Sequence, residues 1–168
     1  MFTTRAVKFA TLFVLALGAA ACSSNKDQTA GAGGLGAGGA GGVATPGSAQ
    51  DFVVNVGDRV FFETDSTDLT PTAVATLDRQ AQWLARYPNY AVLLEGHADE
   101  RGTREYNFSL GARRAQTVRD YLSSRGVQGN RVRTVSYGKE RPVAVCNDIS
   151  CWSQNRRVVT VLDTGAGM

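Results

Sequence analysis

The chain has 168 residues, of which 43% are hydrophobic and 20% charged, and its formal net charge is +3. This length suits one domain with appendages, and the weak charge disfavours a protein that binds the phosphate backbone of nucleic acid. Apart from the N-terminus, no apolar stretch is long enough for a spanning helix, which also disfavours a polytopic membrane protein.

The N-terminus has the pattern of an export signal. Arg5 and Lys8 precede a short apolar run, and small residues then lead to Cys22. This order is typical of a secretory signal. The cysteine makes it resemble the lipobox of bacterial lipoproteins, although Ala19 stands where that family usually has leucine. We expect a signal peptide over 1–21 and acyl chains on Cys22, the alternative being an ordinary cleaved signal with an incidental cysteine.

The residues after Cys22 predict a tether. Ser23 and Ser24 stand where lipoproteins of the inner membrane tend to have aspartate, so the resemblance implies the outer membrane. Residues 22–50 are rich in glycine and alanine, and such a segment buries too little apolar surface to fold. We therefore expect a flexible linker over 22–50 and a folded domain over 51–168 that faces the periplasm.

The first half of this domain predicts a strand, a helix and a second strand. Residues 59–62 contain one β-branched and two aromatic residues after Arg59, as in a strand. Thr70 and Pro71 are typical of a helix start. The apolar residues that follow have the spacing of one helix face; they are Val74, Leu77, Ala81 and Leu84. Residues 90–95 predict the second strand.

The second half predicts another helix and two more strands. The helix covers about 109–125, and Gly126 ends it. Its apolar face is formed by Ala112, Ala115, Val118 and Leu122. Residues 132–137 and Arg157–Asp163 predict strands. The βαβαββ order indicates a two-layer α/β sandwich with the helices on one sheet.

Two cysteines, Cys146 and Cys151, lie in the connection before the last strand. An exported protein meets an oxidising compartment, where a disulfide is favoured over a metal site. We therefore expect these two cysteines to be bonded to each other.

Charged residues of both signs crowd the loop after the second strand and the helix that follows. Asp99 and Arg101 lie in the loop, and Arg114 lies on the helix. Arginine presents a planar fork to a carboxylate, whereas aspartate accepts hydrogen bonds from an ammonium. The pattern suits a zwitterionic ligand, although the same charges could equally satisfy one another on a solvated loop.

The sequence does not favour an enzyme or a cofactor. His97 is the single histidine, and with Asp99 and Glu100 it lacks the spacing of a zinc motif. No Gly-x-Ser-x-Gly motif is present for a hydrolase. Asp99 and Glu100 are adjacent and do not resemble a glycosidase pair.

The run GHADERGTREYNFSLGARRA, with SYGKERP and NRRV downstream, closely resembles the OmpA-like family. The resemblance covers about residues 51–163. The short pattern of the family falls on Asp99, Gly102, Asn107, Leu110, Arg114 and Ala115.

The resemblance implies non-covalent binding of peptidoglycan through the meso-diaminopimelate of its stem peptide. By analogy Asp99 takes the ammonium and Arg114 the carboxylate of that residue. The same pocket would be lined by Asn107, Thr103, Arg101 and Leu110, with Phe62 and Glu63 as an opposite wall. Members usually have Phe-Asp at this wall, which leaves the contact of Glu63 open.

The resemblance also implies attachment to the Tol system of the envelope through its propeller protein TolB. TolB would compete with peptidoglycan for an overlapping surface, and the protein would help to draw the outer membrane inward at division. One alternative is another OmpA-like wall anchor, which would carry a spanning helix or a β-barrel upstream. The other is a lipoprotein that contacts only proteins.

Overall fold

The computed structural model describes residues 44–163. The predicted signal peptide over 1–21, the lipidation site Cys22 and most of the predicted linker lie outside the described residues. Within them, a helix precedes each strand. The elements are α1 (Ala49–Asp51), which continues as a π-helical turn (Phe52–Gly57), β1 (Arg59–Phe61), α2 (Pro71–Arg86), β2 (Ala91–His97), α3 (Arg104–Ser124), a 3-10 turn (Gly129–Arg131), β3 (Val132–Gly138), α4 (Ile149–Asn155) and β4 (Arg157–Asp163).

The four strands form one sheet in the order β1-β4-β2-β3. Strand β4 is antiparallel to both β1 and β2, whereas β2 and β3 are parallel, with Gly96 opposite Ser136. Helix α3 packs on β2 and β3, and α2 packs beside it against β1. The predicted two-layer sandwich is therefore confirmed. None of the described helices has the length and apolar character needed to cross a membrane.

One apolar core joins the sheet to the two long helices. Its fully buried members include Leu94 of β2, Val158 of β4, Leu77 of α2 and Leu122 of α3. The apolar face predicted for the second helix differs at one position, because Ala112 is exposed. Gly111 is buried in its place, against the backbone of β2.

Helix α3 begins five residues before the predicted start at 109. Thr103 caps it, because its hydroxyl accepts a hydrogen bond from the backbone N–H of Tyr106 at 3.2 Å. The polar first turn carries no apolar periodicity, so the pattern of apolar residues locates only the later turns. As a result Asn107 lies on a rigid helix rather than in a loop.

Helix α4 was not predicted, because it has only seven residues. Asp148 caps it by accepting a hydrogen bond from the backbone N–H of Ser150 at 2.7 Å. Next to this cap, Cys146 and Cys151 form the predicted disulfide, with their Cα atoms 5.6 Å apart.

Ordered structure begins before residue 51. Ser48 caps α1, and the hydroxyl of Tyr90 donates to the backbone oxygen of Gly47 at 2.9 Å. The indole N–H of Trp83 donates to the carboxylate of Asp51 at 2.8 Å. Residues 45–50, assigned above to the linker, therefore pack on the folded unit.

Candidate functional site

The loop that connects β2 to α3 carries a buried carboxylate, that of Asp99. Strands β2 and β3 are parallel, so their carboxyl ends lie at the same edge of the sheet, and this loop leaves from that edge. One oxygen of Asp99 accepts from the backbone N–H and the Nε of Arg101, each at 3.2 Å. The other accepts from Arg101 Nη2 at 2.7 Å and from Arg156 Nη1 at 3.3 Å.

These hydrogen bonds keep the carboxylate of Asp99 charged. Burial by itself would raise the pKa of Asp99, but the donors of Arg101, followed by that of Arg156, outweigh this effect and lower the pKa below its usual value. Asp99 is therefore an anion in a largely dry position, next to two arginines.

The side chain of Arg114 crosses from α3 to the same loop and has no exposed surface. Its Nε donates to the backbone oxygen of Ser66 at 2.9 Å, its Nη1 to that of His97 at 3.0 Å and its Nη2 to that of Glu63 at 3.0 Å. The guanidinium also lies 5.1 Å from the centre of the Phe62 ring. Arg114 thus joins β2 to the segment after β1.

Burial, together with the positive charge of Arg156, lowers the pKa of Arg114 to about 10. The group is nonetheless a cation at neutral pH. It forms no ion pair with a carboxylate of residues 44–163. A buried cation without a paired anion is costly, and an anionic ligand would offset that cost.

A cavity of about 230 Å³ lies between the β2–α3 loop, the start of α3 and the segment after β1. Five of the residues predicted for the site line it, namely Asp99, Arg101, Asn107, Leu110 and Arg114. The other lining residues were not predicted; they are Thr64, Asp65, Gly102 and Tyr106. The structure therefore brings both members of the predicted clamp, Asp99 and Arg114, to one cavity.

The three other predicted residues lie close by but do not line this cavity. Thr103 caps α3, as described above. Phe62 is buried beneath Arg114, and the exposed Glu63 contributes its backbone oxygen to that arginine. Both side chains line a neighbouring cavity of about 630 Å³ together with Arg156.

Asp65 and Thr64 take the position expected for the opposite wall. The chain turns sharply after β1, and Asp65 has a left-handed backbone with φ of 55°. This turn carries its carboxylate into the cavity, where it accepts a hydrogen bond from the hydroxyl of Tyr106. Asp65, two positions after Glu63, is therefore the acidic residue of this segment that lines the cavity.

Asn107 and Lys139 hold the β2–α3 loop in place. The side-chain amide of Asn107 donates to the backbone oxygen of Arg101 at 2.6 Å. From the end of β3, the Nζ of Lys139 donates to the backbone oxygens of Glu100 at 3.2 Å and Gly102 at 2.7 Å. Lys139 lies within the SYGKERP motif, which is the sequence signal that could have identified it.

Trp152 of α4 forms a side wall of the loop. Its indole N–H donates to the carboxylate of Glu100 at 2.8 Å, and its ring lies 4.2 Å from the guanidinium of Arg101. No motif in the sequence pointed to Trp152. Its position depends on α4, which the sequence analysis did not find.

His97 lies beside the site but does not face the cavity. Its side chain is 2% exposed, and neither ring nitrogen has a hydrogen-bond partner among the described residues. Burial lowers the pKa of His97 to about 4, with further contributions from Arg157 and Arg141. The histidine is neutral at pH 7, and no group of three or more potential metal ligands occurs within residues 44–163.

Comparisons with known proteins identify close relatives. The model of the OmpA family matches residues 61–156. The peptidoglycan-associated lipoprotein of Rhizobium meliloti (strain 1021) is 70% identical over 92% of this chain and 86% of the relative, and that of Agrobacterium fabrum is 68% identical over the same shares. Both relatives are named as lipoproteins associated with peptidoglycan and not for a catalysed reaction, which agrees with the prediction that this protein is not an enzyme.

Solved structures give the same result for the fold. The peptidoglycan-associated lipoprotein from Burkholderia pseudomallei has a TM-score of 0.62 and 42% identity, over 63% of this chain and 90% of that chain. The C-terminal domain of Helicobacter pylori MotB has a TM-score of 0.60 and 25% identity, over 65% of this chain and 86% of that chain.

Proposed function

The chain belongs to the OmpA family, and we propose that its folded unit binds the meso-diaminopimelate of peptidoglycan stem peptides without a covalent bond. The free end of this residue carries an ammonium and a carboxylate on one carbon atom. The cavity at the end of β2 presents a buried carboxylate and a buried guanidinium to such a group. The family to which the chain belongs and the two opposite charges at the cavity therefore support the proposal independently.

The observation that carries the proposal is the unpaired guanidinium of Arg114. An arginine has five N–H donors, and three of those of Arg114 are engaged by backbone oxygens. One N–H therefore remains on each terminal nitrogen. In this proposal these two N–H groups donate to the two oxygens of the ligand carboxylate.

In this proposal Asp99 takes the ammonium, since its carboxylate is charged and lines the same cavity. Asp65 and Tyr106 close the side formed by the segment after β1, and Leu110 supplies an apolar floor. Asn107 acts indirectly, because its amide fixes the loop that carries Asp99.

In the envelope, we infer an outer-membrane lipoprotein of the Tol-Pal system. The predicted signal over 1–21, the acylated Cys22 and the tether that follows would leave the folded unit in the periplasm, in reach of the cell wall. The names of the close relatives support a lipoprotein associated with peptidoglycan. TolB is the protein partner in this proposal, and constriction of the outer membrane at division is the expected process.

The direct test is co-sedimentation of residues 23–168 with purified peptidoglycan sacculi. Asp99→Asn removes the charge and keeps the shape, whereas Arg114→Lys keeps the charge and removes the fork. Alanine is a poor choice at position 114, since three backbone oxygens would lose their donor. Arg113→Lys is the matched control, because Arg113 is the exposed neighbour of Arg114.

We expect the parent and Arg113→Lys to sediment with sacculi and both site variants to bind at least about tenfold more weakly, the cost of one charged hydrogen-bonded contact. Circular dichroism confirms that each variant is folded. If the parent remains in the supernatant, the cavity is not a wall-binding site and TolB becomes the first ligand to test. Equal binding by folded site variants would exclude Asp99 and Arg114 as the clamp.

A further inference from the structure

The carboxylate of Asp99 is already saturated in the free protein. A carboxylate has about four positions at which it accepts hydrogen bonds. Arg101 occupies three of them, with its backbone N–H, Nε and Nη2, and Arg156 occupies the fourth. A ligand ammonium cannot add to this arrangement, so one of the arginine side chains has to move when it binds.

Arg101 is the side chain that is free to move. It is 42% exposed, whereas the side chain of Arg156 is 5% exposed. Arg156 is also held by a second hydrogen bond, from its Nε to the backbone oxygen of Phe62 at 3.0 Å. Displacing Arg101 costs little because an exposed guanidinium is readily hydrated, whereas displacing Arg156 would leave a buried charge unpaired.

In the position in which it binds Asp99, the Arg101 guanidinium also contacts groups at the rim of the cavity. The ring of Trp152 lies 4.2 Å away and stabilises a cation over its face. Thr64 Oγ1 lies 3.4 Å from Arg101 Nη2, and the carboxylate of Glu100 is hydrogen-bonded to the indole of Trp152. These contacts do not depend on Asp99, so they would hold the guanidinium at the rim of the cavity after it leaves that carboxylate.

We propose that Arg101 is a displaceable latch on Asp99 that selects ligands carrying a carboxylate next to their ammonium. The proposal rests on the binding of meso-diaminopimelate argued above. The ligand ammonium replaces Arg101 on Asp99, and the ligand carboxylate gives the displaced guanidinium a new anionic partner. The ion pair between Arg101 and Asp99 is thus replaced by two, one between Asp99 and the ligand ammonium and one between Arg101 and the ligand carboxylate.

A simple amine receives no such compensation. It displaces Arg101 equally, but it has no carboxylate for either Arg101 or Arg114. The latch therefore acts as a competitor against amines and as a contact for zwitterions, which is how an unfavourable element produces specificity. A lysine side chain at the corresponding position of a stem peptide is the natural example, because it lacks one carboxylate of meso-diaminopimelate.

The test compares two stem tripeptides, one ending in meso-diaminopimelate and one in L-lysine, by calorimetric titration of the full chain in detergent. The variant is Arg101→Ala, which retains the backbone N–H on Asp99. Arg104→Ala is the matched control, because Arg104 is exposed and pairs with Glu140 outside the cavity. A second measurement follows the Arg101 Nε–H resonance of the parent during titration with the diaminopimelate tripeptide.

The lysine tripeptide decides the outcome. We expect Arg101→Ala to bind it at least about fivefold more tightly than the parent does, while Arg104→Ala is unchanged, and we expect the Arg101 resonance to shift on binding. If Arg101→Ala loses affinity for the diaminopimelate tripeptide without gaining any for the lysine tripeptide, Arg101 is an ordinary contact and the latch is wrong. If the parent binds neither tripeptide, the proposed function itself fails.

Discussion

Burial affects the ionisable residues around the cavity in different ways, according to the partners of each. Asp99 remains charged because arginine donors surround it, and Arg114 remains charged because its pKa, although burial lowers it to about 10, stays well above neutral. His97 makes no hydrogen bond to the described residues, with the carboxylate of Glu95 3.9 Å from its Nε2, and burial followed by the charges of Arg157 and Arg141 lowers its pKa. The same depth of burial therefore makes two groups permanent ions and the third a neutral ring.

His97 predicts that the protein loses stability in mild acid. Its pKa is about 4 in the folded state, below the ordinary 6.5, so the unfolded chain takes up the proton first as the pH falls. The stability that comes from keeping His97 neutral is fully present above pH 6.5 and is lost between pH 6.5 and 4. It amounts to at most about 3 kcal/mol. Urea unfolding of the parent and of His97→Asn over this range measures it.

Aspartate and glutamate side chains titrate in the same pH range, but they change the free energy of unfolding of the parent and of His97→Asn by the same amount. The free energy of unfolding of the parent, relative to that of His97→Asn, should therefore fall steadily from pH 7 to pH 4. Parallel stability curves over this range would show that His97 is protonated without cost.

At the level of elements, the closest contact in the site region joins α3 to β2 through two glycines. A Cβ atom placed on Gly96 would lie 1.9 Å from the backbone oxygen of Gly111, and one placed on Gly111 would lie 2.5 Å from the hydroxyl of Ser136. Neither position has room for a Cβ atom, and at Gly96 the atom in the way belongs to the main chain, which cannot rotate aside as a side chain can. This approach brings Arg114 of α3 within reach of the backbone oxygen of His97.

Gly96→Ala is therefore expected to destabilise the domain by about 2–3 kcal/mol, since α3 has to move away from the sheet. Arg114 would move with it, so peptidoglycan binding should weaken as well. Thermal unfolding together with sacculus co-sedimentation measures both effects. Gly129→Ala serves as the control, because its nearest neighbour would be the flexible end of Arg119 at 4.0 Å. Equal stability of the two variants would contradict this account of the contact.

At the level of the whole molecule, the segment before residue 51 is part of the folded unit. Asp51 connects three parts of it, because its carboxylate accepts from Gly47 N–H, from Asn55 and from the indole of Trp83. Trp83 in turn packs against Phe52, with ring centres 4.9 Å apart. The folded unit therefore includes the residues from about 45 onward.

A chain that begins at Asp51 should be less stable than one that begins at Ala44. It loses the Ser48 cap and the hydrogen bond from Tyr90 to Gly47, which together contribute about 1–3 kcal/mol. Urea unfolding of the two chains and of one beginning at Ser23 makes the comparison. The chains from Ser23 and Ala44 should unfold at the same urea concentration. If all three do so, the segment from 45 to 50 adds nothing to stability.

The sequence by itself determined the class of the fold and most of the residues that line the cavity. Apolar periodicity identified the two long helices, and short runs of β-branched, aromatic and other apolar residues identified the four strands, because both patterns are local properties of the chain. The ordered motif around Asp99 identified the family and the pair formed with Arg114. The disulfide between the two cysteines could also be predicted, because the export signal implies an oxidising environment.

Only the tertiary structure decided which side chains from distant segments reach the cavity or the loop beside it. Asp65 lines the cavity because the chain makes a left-handed turn there. Trp152, from a helix too short to show periodicity, and Lys139, at the end of β3, contact the β2–α3 loop. The tertiary structure also showed that Arg101 already occupies Asp99. Contacts of this kind join residues far apart in the chain, and the packing of α3 on the sheet, rather than any local pattern, brings them together.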